Sequence, residues 1–342
     1  MSSQRTRVVF LDAATYGDVS LQRFTESWDC TVHQVTTSNE TIARIAGHSV
    51  VVTNKVVIDG TVLKAPEARE LKLIAVAATG TDIIDREEAA RRGIKVCNVP
   101  GYAAQSVAQF TMALILELAT RVGKYGEAVK AGEWQKSPVF SLLTYPSVEL
   151  NGKKLGIVGY GNIGQTVAKM ARGLGMEILI SARGELGRTT RPGADKPIPK
   201  DRVPLTQLLR EADVITLHCP LTPETRNLIN PQSLSLMKPT AFLINTARGA
   251  LIDEAALIEA LRNKRIAGAA LDVISKEPPS ADHPMVLAAK ELDNLLVTPH
   301  TAWSAREARE RLLREVEENI SAYLRGEPRN LVSHVPPAEP EA

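Results

Sequence analysis

A run of small and branched residues near the middle of the chain, Lys154-Leu-Gly-Ile-Val-Gly-Tyr-Gly-Asn-Ile-Gly164, constrains the fold more than any other stretch. Leu155, Ile157 and Val158 read as a short buried strand that runs directly into Gly159-x-Gly161-x-x-Gly164, with Tyr160, Asn162 and Ile163 between the glycines. In that spacing Gly159 makes a tight turn, Gly161 lets a pyrophosphate approach the backbone, and Gly164 lets the next helix pack closely on the strand. The helix then turns its unpaired backbone N–H groups and the positive end of its dipole toward the phosphates. By itself the glycine pattern also fits an ordinary loop of an α/β protein. Its setting adds the rest: Val167, Ala168, Met170, Ala171 and Leu174 have helical spacing, Gly173 and Gly175 stop the helix, and Glu177 to Ser181 reads as a second strand.

A chain of 342 residues is long for one core, so two domains are expected. Before residue 100, strand candidates at Val8–Leu11, Thr31–Val35, Val50–Thr53, Leu73–Ala77 and Lys95–Asn98 alternate with helical stretches, one beginning at Ser38 and one over Arg86–Arg92. A long apolar helix follows from about Ala104 to Leu118. After the glycine loop a second series appears at Glu177–Ser181, Val214–Leu217, Ala241–Asn245, Ile266–Leu271 and Leu295–Val297, the pattern of a second, doubly wound parallel sheet. Ser304 to Leu324 reads as an amphipathic helix with Leu312, Leu313, Val316 and Ile320 on one side. Because the dinucleotide loop falls mid-chain, residues 1–103 form the first part of one domain, 104–298 the inserted cofactor domain and 299–332 a return to the first. Residues 333–342, rich in proline and glutamate, read as a disordered tail.

Lys plus Arg number 41 against 39 Asp plus Glu, and the charges are mixed, so there is no basic stripe to bind nucleic acid or an anionic membrane. The start leads straight into a strand too short for a signal-peptide core, and no apolar run spans a bilayer, which makes the cytoplasm the expected location. Cys30, Cys97 and Cys219 are odd in number and far apart, which fits buried thiols better than disulfides. The six histidines lack metal-ligand spacing.

Three isolated polar residues follow strands of the second sheet: Arg248 in Asn245-Thr-Ala-Arg-Gly249, Glu277 in Ser275-Lys-Glu-Pro278, and His300 in Val297-Thr-Pro-His300. Ligands of such sheets bind at the strand carboxyl ends, so all three can face one crevice beside a nicotinamide. Arg248 offers a planar, two-pronged donor for a carboxylate. His300 can exchange a hydroxyl proton, and a nearby Glu277 carboxylate raises a histidine pKa. Taken singly, each also fits a surface ion pair, a solvated acid or a hydrogen-bonded structural histidine; their recurrence after successive strands favours the shared site.

At these residues the chain resembles the D-isomer-specific 2-hydroxyacid dehydrogenase family over nearly its whole length. The specific pieces are Gly159-Tyr-Gly-Asn-Ile-Gly164, Leu217-His-Cys-Pro-Leu-Thr-Pro-Glu-Thr225, Met237-Lys-Pro-Thr-Ala-Phe-Leu-Ile-Asn-Thr-Ala-Arg-Gly249, Ala270-Leu-Asp-Val273 with Glu277-Pro278, and Thr298-Pro-His300. The resemblance implies an α/β fold of two doubly wound parallel-sheet domains, a Rossmann cofactor domain inserted into a flavodoxin-like substrate domain. It implies that Arg248 binds the substrate carboxylate and carbonyl, that His300 is the acid/base and that Glu277 pairs with it. Ala78-Thr79-Gly80 resembles a loop whose N–H groups hold the substrate carboxylate, a small anion nest. Lys55 would add a charge near that anion, or simply be solvated. Asp272 resembles the residue that fixes the nicotinamide carboxamide, Thr111 one that faces the cofactor, and Pro220 and Thr225 cofactor-wall positions, with Cys219, Thr246 and Ala247 as neighbouring contacts. Thr53-Asn-Lys55, Ala75 to Asp82 and Trp134 to Phe140 are similar to the bacterial glycerate dehydrogenase and hydroxypyruvate reductase branch, where the last segment packs across a homodimer; a local hydrophobic plug is the other reading. The reaction implied is hydride transfer between NAD(P)H and a small 2-oxo acid. A cofactor-sensing corepressor, a D-lactate-type enzyme and phosphite or formate dehydrogenases are the alternatives, and Thr79 and Glu277 depart from the phosphite and formate patterns.

One departure concerns the cofactor. Sites that prefer NAD place an acid at the end of the second strand to hold the ribose 2′-hydroxyl. Here Ile178-Leu-Ile-Ser-Ala-Arg183 carries Ala182 at that place, next to Ser181 and Arg183, with Arg188 and Arg191 nearby. Guanidinium groups pair well with a phosphate, so NADP is expected, with NAD also accepted. Arg183 stacking on adenine, or facing water, is the competing reading.

Overall fold

The structure, a computed structural model, describes residues 5–182 and 201–332; the expectations for Arg183, Arg188, Arg191 and the tail at 333–342 lie outside the described residues. The chain divides into two compact units, Met1–Ala103 with Ser304–Ala342, and Ala104–Trp303.

In the first unit the strands are β1 (Arg7–Phe10), β2 (Asp29–Val32), β3 (Val50–Thr53), β4 (Leu73–Val76) and β5 (Lys95–Cys97). All pair in parallel, in the order β2-β1-β3-β4-β5. The helices between them are α1 (Gln22–Ser27), α2 (Thr41–Ile45), α3 (Gly60–Lys64) and α4 (Arg86–Arg91). Strands β3 and β4 are buried on both faces, which explains their unbroken apolar sequences, Val-Val-Val-Thr and Leu-Ile-Ala-Val. The edge strand β2 begins at Asp29 rather than Thr31, set by pairing with β1 from Arg7↔Asp29 onward. Helix α2 starts at Thr41, not Ser38, because Thr37 to Glu40 form a turn in which the Glu40 carboxylate accepts from the Thr37 N–H at 2.8 Å.

The second unit begins with α5 (Ala104–Thr120) and α6 (Val122–Lys130). Its sheet is made of β6 (Lys154–Val158), β7 (Glu177–Ile180), β8 (Val214–Leu217), β9 (Phe242–Asn245), β10 (Gly268–Leu271) and β11 (Leu295–Val297), in the order β11-β10-β9-β8-β6-β7. The order reverses at β6, so the crevice beyond its carboxyl end is the ligand position of a doubly wound sheet. Among the described residues, a third strand beyond β7 is reduced to one parallel bridge, Ser181↔Val203. Helix α7 (Asn162–Gly173) and α5 cover one face around Leu155, Ile157 and Ile244. On the other, α8 (Leu205–Glu211), α9 (Pro231–Leu236), α10 (Glu254–Arg262) and α11 (Pro284–Glu291) pack around Ile215, Leu217 and Leu243.

Helix α12 (Arg306–Leu324) returns to the first unit and packs over β4, with Leu312, Val316 and Ile320 fully buried. The chain after it pairs with the edge strand: the Val332 N–H donates to the Val96 carbonyl at 2.8 Å. The second unit reaches Trp303, past the 298 expected from sequence, because the segment 298–302 is tied to Asp272 as described below. Among the described residues no helix is long and apolar enough to cross a membrane.

Candidate active site

The glycine loop has the geometry its spacing implies. Gly159 has φ +99°, a region closed to most side chains, and a Cβ there would lie 2.4 Å from the Cys219 nitrogen. A Cβ on Gly164 would meet the Gly159 carbonyl oxygen at 2.3 Å, so the helix can sit this close to the turn only without one. At Gly161 a Cβ would meet open space. Gly161 is also the N-cap of α7 and makes no side-chain cap, so the first-turn N–H groups of Asn162, Ile163 and Gly164 have no capping side chain there and would suit a phosphate. These residues fit a nicotinamide dinucleotide. Beyond β7, the Ser181 hydroxyl turns to the Ala182 carbonyl at 3.2 Å, and Ala182 is 3% exposed.

Strands β9, β10 and β11 are neighbours, with Asn245, Leu271 and Val297 level at their carboxyl ends. Arg248, Glu277 and His300 therefore leave one edge of one sheet. The Asn245 side chain shapes the first turn: its oxygen accepts from the Ala247 N–H at 3.0 Å and its nitrogen donates to the Arg248 carbonyl at 2.8 Å. At Gly249 a Cβ would fall 2.0 Å from the Ile274 carbonyl carbon, so the absence of a side chain lets the main chain before Glu277 pass against the turn of Arg248. Glu277 is held by the Ile274 N–H, which donates to Oε1 at 2.9 Å; its Oε2 lies 2.5 Å from His300 Nδ1. The two residues are thus brought into direct contact. That contact makes Nδ1 the donor to the carboxylate, leaving Nε2 for a ligand.

His300 has φ +51°, uncommon for a residue with a side chain. Asp272, 1% exposed, holds it there. Its Oδ1 accepts from Thr298 Oγ1 at 2.7 Å and the Thr301 N–H at 2.9 Å, its Oδ2 from the Ala302 N–H at 2.8 Å, and its carbonyl from the His300 N–H at 2.8 Å. The Trp303 indole donates to the His300 carbonyl at 2.9 Å. Asp272 thus organises the His300 loop, a role that sequence reasoning missed; an acid at a strand end followed by Thr298 after the next strand was the available signal.

Other candidates are committed to local structure. The Thr111 hydroxyl donates to the Val107 carbonyl at 2.8 Å and lies 3.0 Å from Thr246 Oγ1. Thr225 Oγ1 donates to the Pro220 carbonyl at 2.7 Å and accepts from the Thr222 N–H at 2.7 Å, closing the loop after Cys219. Burial pushes the Cys219 thiol up to about 11, and desolvation pulls the half-buried His218 down to about 3, so it is neutral. Arg202, absent from the sequence expectations, donates to the Ser181 carbonyl at 3.3 Å. A cavity of about 730 Å³ flanked by Gln105, Gln165 and Lys169 lies along α7 and is lined by none of Arg248, Glu277 and His300.

In the first unit, Lys55, Ala78, Thr79 and Gly80 follow the adjacent strands β3 and β4. The Asp12 carboxylate accepts from the Asn54, Lys55 and Val56 N–H groups at 2.9, 2.6 and 3.3 Å, and burial raises its pKa against those bonds. Thr79 Oγ1 donates to the Val99 carbonyl at 2.9 Å, and the Asn98 amide to the Thr79 carbonyl at 2.7 Å. Both loops are therefore braced from neighbouring strand ends. Among the described residues no group of His, Cys, Asp and Glu is placed to hold a metal ion.

Residues 112–302 match the family model "D-isomer specific 2-hydroxyacid dehydrogenase, NAD binding domain". The chain is 39% identical over 328 residues to a glycerate dehydrogenase of Methylorubrum extorquens, covering 95% of this chain and 98% of that one. It is 44% identical over 268 residues to a glyoxylate reductase of Thermococcus litoralis, covering 78% of each. An NADPH-dependent glyoxylate/hydroxypyruvate reductase of Sinorhizobium meliloti, solved with NADP and malonate, superposes with a TM-score of 0.78 at 26% identity, covering 99% of this chain and all of that one. Sequence, sheet order and glycine loop agree, and the chain belongs to the D-isomer specific 2-hydroxyacid dehydrogenases, NAD(P)-dependent oxidoreductases.

Proposed function

We propose that this protein reduces hydroxypyruvate to D-glycerate and glyoxylate to glycolate, with NADPH as its preferred cofactor. The observation that carries the reading is the 2.5 Å contact between His300 Nδ1 and Glu277 Oε2 at the edge that also bears Arg248. Relatives named glycerate dehydrogenase, hydroxypyruvate reductase and glyoxylate reductase support the substrate class.

A nicotinamide dinucleotide held at the Gly159–Gly164 loop would supply the hydride. Arg248 binds the substrate carboxylate and carbonyl through its planar donors, and the imidazolium of His300 passes a proton from Nε2 to the carbonyl oxygen. Glu277 orients that ring through Nδ1. Asp272 keeps the His300 loop in place. Lys55, Ala78, Thr79 and Gly80 are further proposed substrate contacts, on the resemblance of their loops. The unit of residues 1–103 with the return after Trp303 is proposed as the substrate domain, and the unit Ala104–Trp303 as the cofactor domain.

The NADPH preference is supported by the absence of an acid at Ala182. A steady-state comparison of NADPH and NADH over hydroxypyruvate, glyoxylate, pyruvate and phenylpyruvate tests the reading. We expect the two smallest polar oxo acids with NADPH to give the highest kcat/KM; preference for phenylpyruvate defeats the substrate reading, and preference for NADH the cofactor reading.

The same reading includes a homodimer. Phe140 is 93% exposed and Leu143 84% exposed on the segment after Trp134, whose indole donates to the Phe140 carbonyl at 2.9 Å. Side chains so exposed do not plug their own loop, and they fit burial by a second copy. Light scattering is expected to give twice the chain mass for the parent and a shift toward the monomer for Phe140→Asp; a monomeric parent rejects the dimer.

A further inference from the structure

The end of β7 is where a dinucleotide-binding sheet meets the adenosine ribose, and the residue there decides between a 2′-hydroxyl and a 2′-phosphate. In this chain that edge is built from two places in the sequence. The Ala182 N–H donates to the Val203 carbonyl at 2.8 Å, and the Val203 N–H to the Ile180 carbonyl at 2.9 Å. This single parallel bridge sets Val203 beside Ser181, with Arg202 one residue before it. Arg202 is thereby carried to the strand end: one Nη donates to the Ser181 carbonyl at 3.3 Å, and its guanidinium carbon stands 5.8 Å from the centre of the Tyr160 ring. Tyr160 lies inside the glycine loop, between Gly159 and Gly161. One guanidinium thus touches both the end of β7 and the loop that receives the pyrophosphate.

We propose that Arg202 is a specificity-determining residue for the cofactor, binding the 2′-phosphate of NADPH from the reduced third strand. The inference deepens the cofactor reading above and rests on it.

The chemistry suits the role. A phosphate accepts two parallel N–H donors from one guanidinium, and its charge makes those bonds about twice as strong as neutral ones. A guanidinium has five N–H donors, so the bond to Ser181 leaves capacity for a phosphate while fixing the direction of the group. The aromatic face of Tyr160 holds the cation within the distance at which ring and charge attract. Ala182 presents no carboxylate that would compete for Arg202 or repel the phosphate. Nothing in the linear sequence points to Arg202. Twenty residues separate it from Ala182, and the Ser181↔Val203 bridge brings the two together.

The test is equilibrium binding of NADPH and NADH to the full chain, followed by nicotinamide fluorescence, with adenosine 2′,5′-bisphosphate and adenosine 5′-monophosphate as non-reacting probes. R202Q is expected to weaken NADPH and the bisphosphate about ten- to a hundredfold, the span for a lost charge-assisted hydrogen bond, and to leave NADH and the monophosphate within about threefold. Arg202→Lys keeps the charge and loses the fork, and is expected to fall between R202Q and the parent. Tyr160→Leu is expected to weaken NADPH about two- to fivefold through loss of the ring beneath the guanidinium. If the parent prefers NADPH and both Arg202 variants keep its NADPH-to-NADH ratio within twofold, the role of Arg202 is overturned while the cofactor reading stands. If the parent itself binds NADH more tightly, the cofactor reading fails first and this inference falls with it. Equal losses for both nucleotides in both Arg202 variants mark a structural brace for Ser181 and also overturn the proposal.

Discussion

Two stretches of the same sheet edge handle precision in different ways. At β9 to β11, placement comes from the main chain: His300, Glu277 and Arg248 sit on loops whose carbonyls and N–H groups are bonded to one another, to Asn245 and to buried Asp272. At β6 and β7, placement comes from a long side chain, Arg202, steadied by one carbonyl and one ring face. The difference follows from what each end must do in the proposed reaction. Proton transfer requires heavy atoms within about 2.6–3.2 Å, which only a fixed backbone holds reliably. Recognition of a phosphate by charge tolerates a longer, softer contact.

Damage at the β9 to β11 end is accordingly expected to be severe and specific to chemistry. His300→Ala is expected to lower kcat for hydroxypyruvate reduction by roughly 10²–10⁴ with little change in NADPH binding; steady-state rates within a few-fold of the parent would remove His300 from the proposed acid role. Arg248→Lys keeps the charge but loses the fork, and is expected to reduce kcat/KM about ten- to a hundredfold, mainly through KM. An unchanged KM for the 2-oxo acid counts against carboxylate recognition there.

Asp272→Asn probes the brace rather than the chemistry. It turns one acceptor oxygen into a donor facing other donors, with an expected loss of about 1–3 kcal/mol in urea unfolding and roughly tenfold in kcat. A variant with parental stability and kcat would show that the His300 loop holds itself. The smallest effect is expected at Cys219. With its pKa pushed up by burial to about 11, the thiolate is roughly one part in a thousand at pH 8, so a disulfide reagent should label Cys219 slowly there and faster only as pH approaches 11. Rapid labelling at pH 8, located by peptide mapping, would show that the loop after β8 opens.

The elements that could be read from sequence are those whose burial is uniform. Strands β3 and β8 fall on the expected residues because each is a short, fully buried apolar run ending in a turn. Strand β2 was displaced because its side chains are mostly exposed, which leaves no pattern to mark its register. Arg248, Glu277 and His300 could be proposed because each follows its own strand at short distance. Arg202 could not, since its place depends on pairing between segments twenty residues apart. The work done by the Asp272 side chain was also hidden, because its three carboxylate partners lie beyond the next strand.

Gly249 has a consequence for anyone who would redesign this protein. Its missing side chain leaves the turn carrying Arg248 and the main chain at Ile274–Ser275 in contact, so that even a methyl group would collide with backbone. The two segments behave as one mechanical part. A graft that imports the arginine turn from another scaffold without its matching acid-bearing loop is expected to misfit, and libraries should exchange 246–249 and 273–278 as a single cassette.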